Sequence, residues 1–109
     1  MKLADLPTHC SNQVTALSEA EVQDLLDQIS GWRLTQGALE RRINFPDFHK
    51  TMAFVNAVAQ LANEQDHHPD MHIAYGRCVV RFNTHSVKGI SVNDFICAKL
   101  VNALQPTSA

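Results

Sequence analysis

Val22, Leu25, Leu26 and Ile29 recur at the spacing of one helical face, so the first element predicted is a helix. Ser18-Glu19-Ala20-Glu21 opens it as a capping box, in which the serine hydroxyl accepts from the amide three residues on and the glutamate reaches back, and Ser30-Gly31 closes it. From Trp32 to Phe45 the period changes to two, with Gln36-Gly37 as a two-residue hairpin turn. That turn sets Leu34 opposite Leu39 and Arg33 opposite Glu40, one apolar pair and one of opposite charge. Pro46 and Asp47 open a second helix, with Phe48, Met52, Val55, Ala59 and Ala62 as its buried stripe. Phe54, Val58 and Leu61 widen the stripe, as expected of a helix lying across a sheet.

After His67-His68-Pro69 the two-residue period returns. Met71, Ile73 and Tyr75 alternate with His72 and Ala74, and Cys78, Val80 and Phe82 alternate with Val79 and Arg81. Gly76-Arg77 is the expected turn, with glycine supplying the positive φ of a type II′ hairpin. Lys88-Gly89 ends this segment, and Ser91-Val92-Asn93-Asp94 caps a third helix whose Phe95, Ile96, Leu100 and Ala103 are expected to face inward. The order α-β-β-α-β-β-α predicts an α+β fold: one four-stranded antiparallel sheet with three helices on one face. The other face of the second hairpin, with Ala74, Val79 and Arg81, is not purely solvent-like and suits self-association.

At 109 residues and 45% hydrophobic content the chain supports one core. Residues 1–17 show no period and read as an extended arm, residues 18–105 as the folded domain and 106–109 as a tail. The balance of 9 Lys+Arg against 11 Asp+Glu, with Arg41-Arg42 as the basic doublet beside Glu40, leaves no footprint for nucleic acid. No apolar run follows Lys2 or approaches membrane-spanning length, so a cytoplasmic protein is expected. Cys10, Cys78 and Cys97 are widely spaced and odd in number, which argues against a disulfide framework or a structural zinc site. Cys78 shares the apolar face of Val80 and Phe82, a poor setting for a nucleophile.

Four of the 6 histidines fall between His67 and His85. With Gly76 and Arg77 as loop residues, His72 faces Arg81, Asp70 faces Asn83 and His68 faces His85, all on one side if pairing continues past Pro69. Imidazoles titrate near neutrality, so several around one pocket could both take and give a proton. A single histidine here would be an ordinary surface or hydrogen-bonded residue. A metal site is the sharper rival, but His67 and His68 are adjacent and point apart on a strand, and Pro69 disfavours a helix that would align His68 with His72.

The run His67-His68-Pro69, Tyr75, Thr84-His85 and Asp94 resembles the signature of the pterin-4a-carbinolamine dehydratases. Gly31-Trp32, Phe45-Pro46-Asp47-Phe48, Lys88-Gly89 and Asp94-Phe95 resemble it too, and the likeness spans Ser18 to Leu104. It implies loss of water from a 4a-hydroxytetrahydropterin to give the quinonoid dihydropterin, in pterin recycling beside aromatic amino-acid hydroxylation, with no metal or redox cofactor. It further implies His67, His68 and His85 as the acid–base set, Pro69, Asn63, Glu64 and Asp94 as pterin contacts, and a homo-oligomer, dimer or tetramer. Asp94 has a second reading, as a cap of the third helix, and Tyr75 one as a packing residue. Two positions depart from the family pattern: Asn63 stands where a glutamate is usual, with Glu64 one place later, and Met71 where a tryptophan is often found. The same family includes a dimerisation cofactor for a transcription factor and assembly helpers, so a non-catalytic binding module is the alternative.

Overall fold

A computed structural model describes residues 1–104. Helix α1 (Glu19–Leu26) starts at the expected capping box: Ser18 Oγ accepts from the Glu21 amide at 3.1 Å, and Glu21 Oε1 accepts from the Ser18 amide at 2.8 Å. It ends before Ser30-Gly31, but the turns that follow still deliver Ile29 to the core. Strands β1 (Arg33–Thr35) and β2 (Ala38–Asn44) pair as expected, Leu34 with Leu39 and Arg33 with Glu40. Gln36 and Gly37 have φ of 49° and 78°, the paired positive values of a type I′ turn, whose twist matches that of the strands it joins.

Helix α2 (Phe48–Gln65) begins one residue after its cap, Asp47, whose carboxylate accepts from the Lys50 amide at 2.8 Å. Its buried face is Thr51, Phe54, Val55, Val58, Leu61 and Ala62, which keeps Val55 and Ala62 of the expected stripe with Phe54, Val58 and Leu61 of its widening and turns Phe48 away. Thr51 turns inward because its hydroxyl donates to the carbonyls of Asp47, at 3.0 Å, and Tyr75, at 2.8 Å. Phe48 is thereby left outside, 48% exposed and stacked on Tyr75.

Strands β3 (Asp70–Ala74) and β4 (Arg77–Phe82) complete an antiparallel sheet of order β1-β2-β4-β3, and helix α3 (Val92–Leu104) follows. The second hairpin differs from the expected one. Its loop is Tyr75-Gly76, and Ala74 pairs with Arg77, so His72 faces Val79 and Asp70 faces Arg81. Gly76 lies outside the positive-φ region and serves a close approach instead: its carbonyl accepts from the Phe45 amide at 2.8 Å, and a Cβ would lie 2.8 Å from the Phe45 carbonyl oxygen. Docking the turn on the end of β2 thus fixes the register. Because β4 ends at Phe82 and His85 opens a one-turn 3-10 helix (His85–Val87), the expected cross-strand pairing of His68 with His85 does not form.

Leu39, Ile43, Cys78, Val80 and Phe82 form the helix-covered face of the sheet, packed under Leu25, Val58, Phe95 and Val101. Val101 continues the inner face of helix α3, with Leu100 partly buried against the core and Ala103 exposed, and from Asn93 to Ala98, the expected Phe95 and Ile96 included, the helix is buried continuously. The reason is the 1–17 arm, which lies along it. Asn93 exchanges two hydrogen bonds with the Ser11 backbone, at 3.0 and 2.7 Å, and Lys99 donates to the Leu3 carbonyl at 3.0 Å. Among the described residues no helix is long and apolar enough to cross a membrane.

Candidate active site

Helix α2 closes on Asp66, whose left-handed backbone (φ 52°) reverses the chain and lets the His67 amide donate to the Ala62 carbonyl at 3.2 Å. The reversal sends the His67 ring inward, flat against Phe82 with centroids 5.9 Å apart, and only 12% of its side chain stays exposed. There Nε2 meets Asp94 Oδ1 at 2.6 Å. His68, the next residue, points out and returns along α2, where Nε2 lies 3.0 Å from Asn63 Oδ1.

Asp94 is fully buried at the start of α3, and both of its oxygens are engaged. Oδ2 accepts from the Ser91 amide at 2.9 Å and from the Thr84 hydroxyl at 2.7 Å, while Thr84 and Ser91 share a further hydroxyl contact at 2.8 Å. Of the two readings of Asp94, the cap is present, since Oδ2 accepts from the Ser91 amide, and Oδ1 in addition holds an imidazole. Thr84 is pinned by a backbone bridge to Gly89, and His85, immediately after it, is exposed.

The short contact with Asp94 raises the His67 pKa above the ordinary imidazole value, against burial, which acts the other way. An imidazolium here is stabilised by the buried carboxylate of Asp94, which also accepts from the Ser91 amide and the Thr84 hydroxyl. In the neutral ring Asp94 can only accept, so Nε2 keeps the hydrogen and Nδ1 carries the lone pair. Asn63 Oδ1 is also an acceptor and sets the same tautomer in His68.

The structure thus brings His67 to Asp94 and His68 to Asn63, places His85 beside Thr84, and leaves Pro69 half-buried between the histidines and β3. Glu64 is exposed on the last turn of α2. Thr84 is the member that sequence pattern does not assign, and Ser91 is assigned only as part of the cap of α3. Thr84 stands next to His85 in the signature run, but nothing periodic points its hydroxyl toward a carboxylate ten residues on. Among the described residues no group of three or more His, Cys, Asp or Glu side chains is arranged to hold a metal ion.

The family model for pterin 4 alpha carbinolamine dehydratase matches residues 15–104, which takes in every residue of this site. This chain belongs to that family. It is 54% identical over 90 residues to a protein of Stenotrophomonas maltophilia strain K279a named "Putative pterin-4-alpha-carbinolamine dehydratase", covering 81% of this chain and 78% of the relative. A transcriptional coactivator/pterin dehydratase from Brucella melitensis superposes with a TM-score of 0.79 at 33% identity, covering 83% of this chain and 98% of that one. A pterin dehydratase-like protein described as a RuBisCO assembly factor in the alpha-carboxysome shares the fold, with a TM-score of 0.60 at 23% identity over 72% of this chain and 93% of its own.

Proposed function

We propose that this chain dehydrates a 4a-hydroxytetrahydropterin to the quinonoid dihydropterin, a step of pterin recycling, with His67, His68 and His85 as the proton-moving groups. The observation that carries the proposal is the 2.6 Å contact between His67 Nε2 and buried Asp94. Dehydration needs a proton delivered to the 4a-hydroxyl as it leaves and a proton taken from N5. His67, whose pKa the Asp94 contact raises above the ordinary imidazole value, is the acid. It gives up the Nδ1 proton and is left as the Nε2–H tautomer that Asp94 already holds, so no group has to reorient. His68, with its Nε2–H turned to Asn63, offers Nδ1 as the base. His85, exposed at the start of the 3-10 helix, completes the set and is tied to Asp94 through its neighbour Thr84. The reading needs no metal and no redox cofactor, because proton transfer alone breaks the C–O bond.

Asn63 takes the position where the family usually has glutamate, as a neutral acceptor that orients His68, while exposed Glu64 and half-buried Pro69 line the approach of the pterin. We also read the protein as a homo-oligomer, dimer or tetramer, since Ile73 on the edge strand β3, Tyr75 in the turn after it and Phe48 stacked on Tyr75 expose 46%, 68% and 48% of their surface. The second reading is a non-catalytic assembly or dimerisation module, favoured by the use described for the RuBisCO-associated neighbour of this fold. Stopped-flow measurement of 4a-carbinolamine disappearance separates the two. Wild-type protein should accelerate the reaction well above buffer, and Asp94→Asn should abolish most of that gain. A wild-type trace that overlays buffer refutes the dehydratase reading.

A further inference from the structure

Away from the imidazoles, the arm and α3 bring two thiols together. Cys10 and Cys97 are 87 residues apart in sequence, and their sulfurs are 3.6 Å apart as free thiols. The Cys10 sulfur is also 3.6 Å from the Asn93 carbonyl oxygen. One arrangement satisfies both contacts: Cys10 S–H donates to Asn93, and Cys97 S–H donates to Cys10. The two thiols are not equivalent. Cys97 is fully buried in α3, whereas Cys10 is half-buried and lines an open cavity of about 450 Å3 shared with Ser11, Asn12, Gln65 and Asp66. A small solute in that cavity reaches Cys10 first.

We infer that Cys10 and Cys97 are a peroxide-responsive dithiol, which closes to a disulfide and fixes the N-terminal arm to α3. In the first step the Cys10 sulfur attacks one oxygen of hydrogen peroxide, the O–O bond breaks, and Cys10 sulfenic acid and water form. In the second, the Cys97 sulfur attacks the Cys10 sulfur, the S–O bond breaks, and the departing hydroxide takes the Cys97 proton as water. Two thiols are oxidised, one peroxide is reduced and two waters leave. The hydrogen bond from Cys97 lowers the Cys10 pKa and favours the thiolate the first step needs, while the same contact and burial raise that of Cys97. Closure requires the sulfurs to approach from 3.6 Å to about 2.05 Å. The arm can supply this movement, because around Cys10 it is held by individual hydrogen bonds, such as that from the Cys10 amide to Gln65 at 2.8 Å, and not by a sheet or helix. Cys78 is the internal control: it is fully buried on the helix-covered face of β4, and burial pushes its pKa up to about 11.

The test treats the full chain with a small excess of hydrogen peroxide, quenches, alkylates under denaturing conditions, and reads intact mass and peptide maps. The free thiols should fall from three to one, so that the chain takes up one alkyl group instead of three and is otherwise lighter by two hydrogens, and one cross-linked peptide should join Cys10 to Cys97 within a single chain. Dithiothreitol should reverse the change. In Cys97→Ala, Cys10 should instead accumulate as a sulfenic acid that dimedone captures. Should that variant fail to fold, the wild-type peptide map decides alone. Three thiols surviving, oxygen added at Cys10 without a cross-link in wild type, or a bridge to Cys78 or to a second chain would each overturn the inference.

Discussion

Glu40 and Asp94 are both carboxylates almost sealed from water, at 5% and 0% exposure, but they sit on opposite sides of the sheet in opposite company. On the open face Glu40 receives Arg33 at 3.0 Å, Arg42 at 3.3 Å and Arg81 at 2.6 Å. Burial pushes its pKa up, but the three guanidinium groups outweigh that and hold it below the ordinary carboxylate value. Under the helices Asp94 receives one imidazole, one hydroxyl and one amide. The open face even has a hollow of about 360 Å3, with Glu40, Arg42, His72, Arg77 and Arg81 in its lining. Cavity and charge alone would favour that hollow as the site. Chemistry favours the other, because guanidinium ions do not titrate in water and the Glu40 cluster is locked in one protonation state, whereas the partner of Asp94 can gain and lose a proton near neutrality.

The largest expected effect tests that contrast directly. Asp94→Asn keeps the shape but replaces one acceptor oxygen with a donor. If the amide nitrogen faces His67, Nε2 must accept, and the proton moves to the wrong ring nitrogen. Turnover of 4a-carbinolamine should fall by about 10²–10⁴-fold, the range for losing a positioned acid–base group. Glu40→Gln, the matched change on the open face, should leave turnover within a few-fold of wild type, about 1 kcal/mol or less in barrier. Equal losses in both variants would show that the imidazole partner is not what distinguishes the two carboxylates.

The two clusters also differ in how far they could be read from sequence. The Glu40–Arg33 pair follows from the Gln36-Gly37 turn, because a two-residue loop dictates its own register and the pair is the third one from it. The His67–Asp94 pair does not follow from any period. It depends on a left-handed reversal at Asp66, on the depth of Phe82 beneath the ring, and on where the chain turns after β4. The family signature names both residues without joining them. Reading Gly76 as a positive-φ glycine misplaced the second hairpin, since its role is contact with Phe45, a residue 31 positions away that no local rule sees. The arm carried the least signal: its hydrogen bonds to Asn93 and Lys99 come from single side chains with no repeat to announce them.

Thr84→Val should show how far Asp94 depends on its neutral donors. The change is close to isosteric and deletes a buried hydroxyl that bonds both Asp94 and Ser91. The free energy of unfolding, from urea denaturation, should fall by about 1–3 kcal/mol, the cost of leaving a buried acceptor short of a partner. Turnover should fall by a smaller factor than in Asp94→Asn, because the Ser91 amide and His67 still hold the carboxylate. Next in size comes Glu40→Gln, at about 1–2 kcal/mol. Only Arg81 among its partners is itself shielded, and Arg33 and Arg42 are 63% and 57% exposed and contribute little through solvent. A Glu40→Gln loss well above that of Thr84→Val would reverse the order and mark the open-face cluster as the main polar anchor of the fold.

The smallest effect is in the pH dependence of stability, where the two clusters should give way at opposite ends of the scale. His67 has a raised folded-state pKa, so the folded state binds the extra proton more tightly than the unfolded chain. Its contribution is complete below the unfolded value of about 6.5 and fades as pH rises through the raised value. Glu40 has a depressed folded-state pKa, so its contribution is complete above the unfolded value of about 4.3 and fades as pH falls through the depressed one. Urea midpoints of wild type, Asp94→Asn and Glu40→Gln should be compared from about pH 2 to about pH 9, a range that extends below the ordinary carboxylate value and above the ordinary imidazole value. The stability gap between wild type and Asp94→Asn should narrow on the alkaline side, and the gap for Glu40→Gln should narrow only toward the acid limit. If the Asp94→Asn gap stays constant across the range, Asp94 stabilises the fold through its cap and the Thr84 hydroxyl alone, and its imidazole partner adds no proton-linked stability.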